Sequence, residues 1–164
     1  MSELINLSLT DQILGLADKS FSSKEITEAY LNEIKKKESL NCFISVFEEE
    51  SEEKALMADE NIAKNKARPL EGIPIAHKDI FCIKDKKTTC GSKMLSNFIS
   101  PYSSEVFSKL DAAGAITLGK TNMDEFAMGS SNETSFYGSV LNPINEKLSP
   151  GAVSYTHLTL PTTR

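Results

Sequence analysis

A lysine stands at the end of a short apolar stretch in the middle of the chain. Residues 70–80 read LEGIPIAHKDI, where Ile73, Ile75 and His77 share one face of an extended segment and Lys78 lies on the other. If apolar neighbours covered the stem of Lys78, desolvation would favour the neutral amine, which can serve as the base for a serine nucleophile. The alternative is a strand that ends in a solvated lysine, because charged side chains are mostly exposed.

A second polar stretch follows another apolar segment and reads KTNMDEFAMGSSNETS over residues 120–135. Polar loops at strand ends are where α/β proteins place ligands. Gly129 permits a close backbone approach, and the hydroxyls of Ser130 and Ser131 can donate and accept hydrogen bonds. Neither serine lies in a G-x-S-x-G motif or near a histidine, so neither is a strong candidate nucleophile. The alternative interpretation is a capped connection between two elements.

Helical and extended patterns alternate along the chain, which favours an α/β layered fold. A helix is predicted over Leu9–Ala17, and the capping-box pattern at Ser22 predicts another to about Lys36. The remaining elements are helices over about Glu52–Lys64 and from Ser104 to Ala113, and strands over Cys42–Phe47, Ile73–Lys78 and Ala115–Gly119.

Composition narrows the function classes. The 164 residues carry a net charge of −5 and no basic patch, which argues against direct nucleic-acid binding. Three widely spaced cysteines without a CxxC pair favour neither disulfides nor a metal site. No signal peptide and no apolar run long enough to span a bilayer is present, so we expect a cytoplasmic protein without a membrane partner.

Three segments of the chain together resemble the amidase signature family. These segments are Gly72–Asp79, Thr88–Leu95 and Gly119–Ser135. The run Asn122–Ser131 is most similar to the branch of this family that acts in tRNA-dependent amidotransferases. The resemblance implies that residues 1–151 form the N-terminal portion of a single amidase domain, an α/β fold with a mixed β-sheet core flanked by helices.

The resemblance also implies a mechanism. Members of the family use a Ser-Ser-Lys triad, in which the lysine, here Lys78, takes a proton through a bridging serine so that a second serine attacks the substrate amide. We expect Ile73–Ala76 to desolvate Lys78, and the backbone around Met128, Gly129 and Ser130 to line the substrate pocket. The substrate would be glutamine, hydrolysed to glutamate and ammonia.

In this branch the glutaminase subunit works in a heterotrimer with two other subunits, as part of a carbon–nitrogen ligase with glutamine as amido donor. The resemblance places no cofactor in this chain and places ATP and Mg²⁺ in a partner subunit. That partner subunit would use the ammonia to convert mischarged glutamyl-tRNA(Gln) to glutaminyl-tRNA(Gln), or aspartyl-tRNA(Asn) to asparaginyl-tRNA(Asn). The sequence does not distinguish the two products.

The chain departs from the family pattern in two places. Ile144 stands where the family usually has tryptophan, and residues 152–164 do not continue the glycine- and serine-rich pattern expected after Pro150-Gly151. We interpret residues 152–164 as a non-native tail from sequencing or cloning, and Ser154 lacks the glycines expected around a bridging serine. The chain as written would lack both catalytic serines and be inactive alone. Two alternatives are a stand-alone amidase and a non-catalytic interaction fragment.

Overall fold

The computed structural model describes residues 4–150; the proposed tail and Ser154 lie outside that range. The helices are α1 (Leu9–Ala17), α2 (Ser23–Lys36), α3 (Glu48–Ala63) and α4 (Glu105–Ala112), and the strands are β1 (Phe43–Val46), β2 (Pro74–Lys78) and β3 (Ile116–Thr121). Short 3₁₀ turns cover Leu4–Asn6, Glu38–Leu40, Lys93–Leu95 and Glu125–Ala127. All seven predicted elements form. Helix α3 begins four residues earlier than predicted, because the acidic residues 48–50 fit the positive end of its dipole.

Within residues 4–150 the strands form one mixed sheet in the order β1-β3-β2. Strand β3 runs antiparallel to β1 and parallel to β2, which confirms the α/β class. Since β3 is central, its residues Ile116–Lys120 are all buried, whereas β2 and β1 are only partly covered. The register places His77 beside Lys120 and Lys78 beside Thr121.

The first turn of helix α2 is held by α3 on one side and by the residue that leads into β2 on the other. Ser22 forms the predicted capping box, and the carboxylate of Asp59 on α3 accepts hydrogen bonds from the amides of Ser23 and Lys24. The buried hydroxyl of Ser23 donates to the carbonyl of Gly72 at 2.9 Å. This bond ties α2 to the residue that leads into β2, so the start of that strand has a defined position.

Helix α4 leads through a short turn into β3, which begins beside the start of β2. Ser104 caps the helix, and Gly114 takes a φ of +98° just after it, as the sequence predicts. The amide of Gly72 donates to the carbonyl of Gly114, and the amide of Ile116 donates to the carbonyl of Ile73. The two parallel strands therefore start together, and their C-terminal ends lie at one edge of the sheet. None of the helices in residues 4–150 is long and apolar enough to cross a membrane.

Candidate active site

Lys78 ends β2 with an exposed side chain. The expected desolvation by Ile73–Ala76 does not occur within residues 4–150, because Ala76 on the same face is exposed as well. His77, which points to the opposite face, is buried. The expectation of a buried Lys78 is wrong for the part of the chain that the structure describes, since β2 is an edge strand with one open face there.

The lysine that the fold buries is Lys120, on the central strand β3. Its side chain is 0% exposed, and its Nζ lies 2.9 Å from Oδ1 of Asp79, which is 1% exposed. The ammonium also donates to Oγ1 of Thr88 at 3.2 Å and reaches the carbonyl of Lys87 at 3.5 Å. A buried charge needs such partners, because an unpaired ion in the interior is costly.

Asp79 connects the end of β2 to the neighbouring strand β3 and to residues 87–90. Its Oδ2 accepts from the amide of Thr89 at 2.9 Å and from the hydroxyl of Thr89 at 2.5 Å. Its amide donates to the carbonyl of Thr121 at 3.1 Å, and its carbonyl accepts from the amide of Cys90 at 3.3 Å. Residues 87–90 and the ends of both parallel strands are therefore held together by Asp79, through its carboxylate and its backbone.

Sequence reasoning did not identify the pair of Asp79 and Lys120. The available signal was Lys120 itself, a charged residue that directly follows the apolar strand Ala115–Gly119, as Lys78 follows its own strand. Asp79 stands next to Lys78, but the sequence does not show that its partner lies 41 positions further on.

The segment 90–92 joins the two stretches that the sequence singled out. The carbonyl of Cys90 accepts from the amide of Phe126, and the hydroxyl of Ser92 donates to Oε1 of Glu125 at 2.5 Å. Gly91 has a φ of +67°, and a Cβ there would lie 2.5 Å from the carbonyl oxygen of Met123. The backbone of 90–92 therefore packs directly on the loop that follows β3, and the fold brings together all three motif segments.

The loop after β3 is organised by the carboxylate of Asp124. It accepts from the amide of Asn132 at 2.9 Å and from the amide and hydroxyl of Thr134 at 3.2 and 2.9 Å. Burial opposes ionisation, but these hydrogen bonds outweigh it and hold the pKa of Asp124 below its usual value. The ionised form of Asp124 thus shapes the loop.

The predicted pocket residues lie on this loop. Gly129 faces the carboxylate of Asp124 so closely that a Cβ would collide with it. Met128 is 77% exposed and Ser130 is exposed. The glycine is therefore explained by the close approach of Asp124, and contact of these three residues with a substrate stays a prediction.

The sequence model of the amidase family matches residues 25–154. The chain belongs to the amidase family. This amidase chain is 53% identical over 152 residues to a glutamyl-tRNA(Gln) amidotransferase subunit of Nitrosomonas europaea. The match covers 92% of the chain and 31% of that relative, so the chain spans about 31% of the length of the curated relatives it matches first.

Solved amidase structures share the fold. The peptide amidase of Stenotrophomonas maltophilia superposes with a TM-score of 0.79 at 27% identity, over 88% of this chain and 31% of that one. The corresponding glutamyl-tRNA(Gln) amidotransferase subunit of Thermotoga maritima gives a TM-score of 0.61 at 32% identity, over 91% of this chain and 28% of that one. The α/β architecture of the amidase chain is therefore that of known amidases.

His77 is a buried neighbour of the candidate amidase site. Its ring lies 5.4 Å from that of Phe107, and its Nε2 has no hydrogen-bond partner among residues 4–150. Burial lowers the pKa of His77, and the charge of Lys120 lowers it further, against an opposing effect of Asp111. The neutral form of the imidazole is thus favoured, and the ring packs between β2 and α4.

A groove of about 540 Å³ lies elsewhere, between the C-terminal half of α2 and the edge strand β1. Its lining includes Leu31, Ile34 and Phe43 and excludes both Lys78 and the loop of Met128. The groove is therefore separate from the candidate active site.

Proposed function

We propose that this chain is the lysine-bearing part of the glutamine-hydrolysing subunit of a glutamyl-tRNA(Gln) amidotransferase. The observation that supports this most is the similarity to a subunit of that enzyme over nine tenths of the chain. The position of Lys78 fits the role, because it ends a parallel strand beside the loops that the family motifs occupy.

In this proposal the amine of Lys78 takes the proton of a bridging serine, which in turn activates the serine that attacks the glutamine amide. Within residues 4–150 the amine has neither an ion-pair nor a hydrogen-bond partner, so no contact there holds it away from a serine supplied by a longer amidase. The open face of β2 is where further parts of a longer amidase would pack, and such packing would exclude water from Lys78. The backbone around Met128, Gly129 and Ser130 would then line the glutamine site.

The released ammonia would pass to a partner subunit in a heterotrimer. There it would convert glutamyl-tRNA(Gln) to glutaminyl-tRNA(Gln), and we place ATP and Mg²⁺ in that partner. Residues 4–150 contain no group of three or more His, Cys, Asp or Glu side chains that could hold a metal ion. Conversion of aspartyl-tRNA(Asn) would be a further reaction of the same complex.

The proposal can be tested in an amidotransferase chimera, in which residues 1–151 of this chain replace the matching segment of the Nitrosomonas europaea relative. The chimera should hydrolyse glutamine, and Lys78→Ala should lower kcat by about 100- to 10,000-fold, the usual contribution of general-base catalysis. Lys109→Ala is the matched control, since Lys109 is an exposed lysine on α4 paired only with the exposed Glu105 among residues 4–150.

Two results would contradict the proposal. One is a folded chimera that does not hydrolyse glutamine in a background where the unmodified relative does. The other is a Lys78→Ala protein that stays within about threefold of its Lys109→Ala control, because a general base contributes far more than that.

A stand-alone amidase is the second candidate, favoured by the higher TM-score with the peptide amidase. The same segment exchanged into that peptide amidase decides between the two. Hydrolysis of peptide amides there, together with failure in the amidotransferase background, would favour the second candidate. The reverse pattern supports the amidotransferase.

A further inference from the structure

Two opposite charges are buried together behind the end of β2. The side chains of Asp79 and Lys120 are at most 1% exposed and lie 2.9 Å apart. Asp79 directly follows Lys78, and Lys120 pairs in register with His77. The pair therefore lies directly beside the backbone that determines to which face of the sheet the Lys78 side chain points.

We infer that Asp79 is a positioning residue for Lys78, held in place by Lys120 and Thr89. This inference rests on the proposed function, in which the amine of Lys78 is the proton acceptor. Asp79 does not reach the substrate; it fixes the backbone that carries Lys78.

Stability alone does not account for a buried ion pair. The desolvation of two charges offsets most of their attraction, and well-packed apolar residues often stabilise a protein as much or more. The pair instead helps to fix the register of β2 against β3. Side chains alternate between the two faces of a strand, so a slip by one residue would turn Lys78 to the buried face and His77 to the open one.

The hydrogen bonds of Asp79 oppose such a slip. Its amide is paired with the carbonyl of Thr121 on β3, and its carboxylate is paired with the amide and hydroxyl of Thr89. A one-residue slip of β2 would break these bonds and separate the carboxylate from Lys120. These bonds thus favour the observed register at the end of β2, which follows an irregularity in the pairing between Ile75 and Ala76.

The test is amide hydrogen exchange on the full 164-residue chain, resolved to single residues by mass spectrometry. The double variant Asp79→Asn/Lys120→Met removes both charges without leaving either unpaired. We expect the amides of Asp79 and Cys90 to exchange about 10- to 100-fold faster, as for loss of hydrogen bonds to a charged group, while amides in α2 change little. The control is Glu105→Gln/Lys109→Met, which likewise neutralises both members of an ion pair, here an exposed one.

Thr89→Val is a second variant in case the double variant does not fold. It keeps both charges and removes the 2.5 Å hydroxyl bond to Asp79, together with the 3.3 Å bond from the amide of Gly91 to the same hydroxyl. Local exchange at Asp79 should therefore still accelerate. Equal acceleration throughout the chain would overturn the inference, because it would show a role in overall stability only. No acceleration at Asp79 and Cys90 would overturn it as well.

The amidotransferase chimera supplies a catalytic readout. The double variant should lower kcat for glutamine by about 10- to 100-fold with KM within about threefold, since a misplaced catalytic group slows the chemical step. An unchanged kcat would overturn the inference. If the parent chimera does not hydrolyse glutamine, the proposed function has failed, and hydrogen exchange still decides whether Asp79 positions the end of β2.

Discussion

The start of β2 depends on a glycine that no other residue can replace without cost. Gly72 has a φ of +79°, and a Cβ there would lie 2.7 Å from Oγ and 2.8 Å from Cβ of Ser23, which is fully buried. The left-handed conformation costs an alanine about 1–2 kcal/mol, and overpacking a closed site costs about 1–3 kcal/mol. Gly72→Ala should therefore lower the free energy of unfolding by about 2–5 kcal/mol, the sum of these two costs.

Urea unfolding followed by far-UV circular dichroism measures this change. Gly138→Ala is the matched control, because Gly138 has a similar φ of +88° but its Cβ would come no closer than 3.3 Å to Nδ2 of Asn41. The control should show the conformational cost alone, about 1–2 kcal/mol. A Gly72→Ala protein no less stable than the Gly138→Ala control would show that the close contact with Ser23 does not destabilise the variant.

Three further predictions concern single side chains. His77→Gln should flatten the dependence of the free energy of unfolding on pH. Burial and the charge of Lys120 lower the pKa of His77 in the folded protein, so the neutral imidazole stabilises the fold above the unfolded pKa of about 6.5, and this stabilisation is lost as pH falls below that value. Thermal melts between about pH 5 and 7 measure this, and an unaltered slope would contradict it. Asp124→Ala should increase thermolysin cleavage within 122–138 by about tenfold or more, because it removes the acceptor of three hydrogen bonds; unchanged cleavage would show that other contacts hold the loop. Ser22→Ala should cost about 1 kcal/mol in urea unfolding through loss of the cap of α2, and no loss would count against that role.

Local signals predicted the type and order of the helices and strands in residues 4–150, although α3 begins four residues earlier than predicted. The bounds of α1, the capping box at Ser22 and the cap at Ser104 all follow from short-range patterns that the structure confirms. Such patterns involve residues within one turn of each other, so a single sequence contains all the information they need.

The burial of the two lysines could not be predicted in the same way. Lys78 and Lys120 each end an apolar strand, and alternation shows which residues share a face without showing which strand is central. The sheet order puts β3 in the middle, which buries Lys120 and leaves Lys78 on an open face. The hydrogen bonds of Asp79 and Asp124 depend in the same way on segments that meet only after folding.

In the proposed function, the amine of Lys78 accepts the proton in glutamine hydrolysis. The most direct test of this role is chemical rescue of Lys78→Ala in the amidotransferase chimera by a small primary amine such as ethylamine. If Lys78 is the proton acceptor, glutamine hydrolysis, lost in this variant, returns in proportion to the concentration of free amine, while the Lys109→Ala control does not respond. A Lys78→Ala chimera that hydrolyses glutamine at the parent rate without added amine would contradict this role.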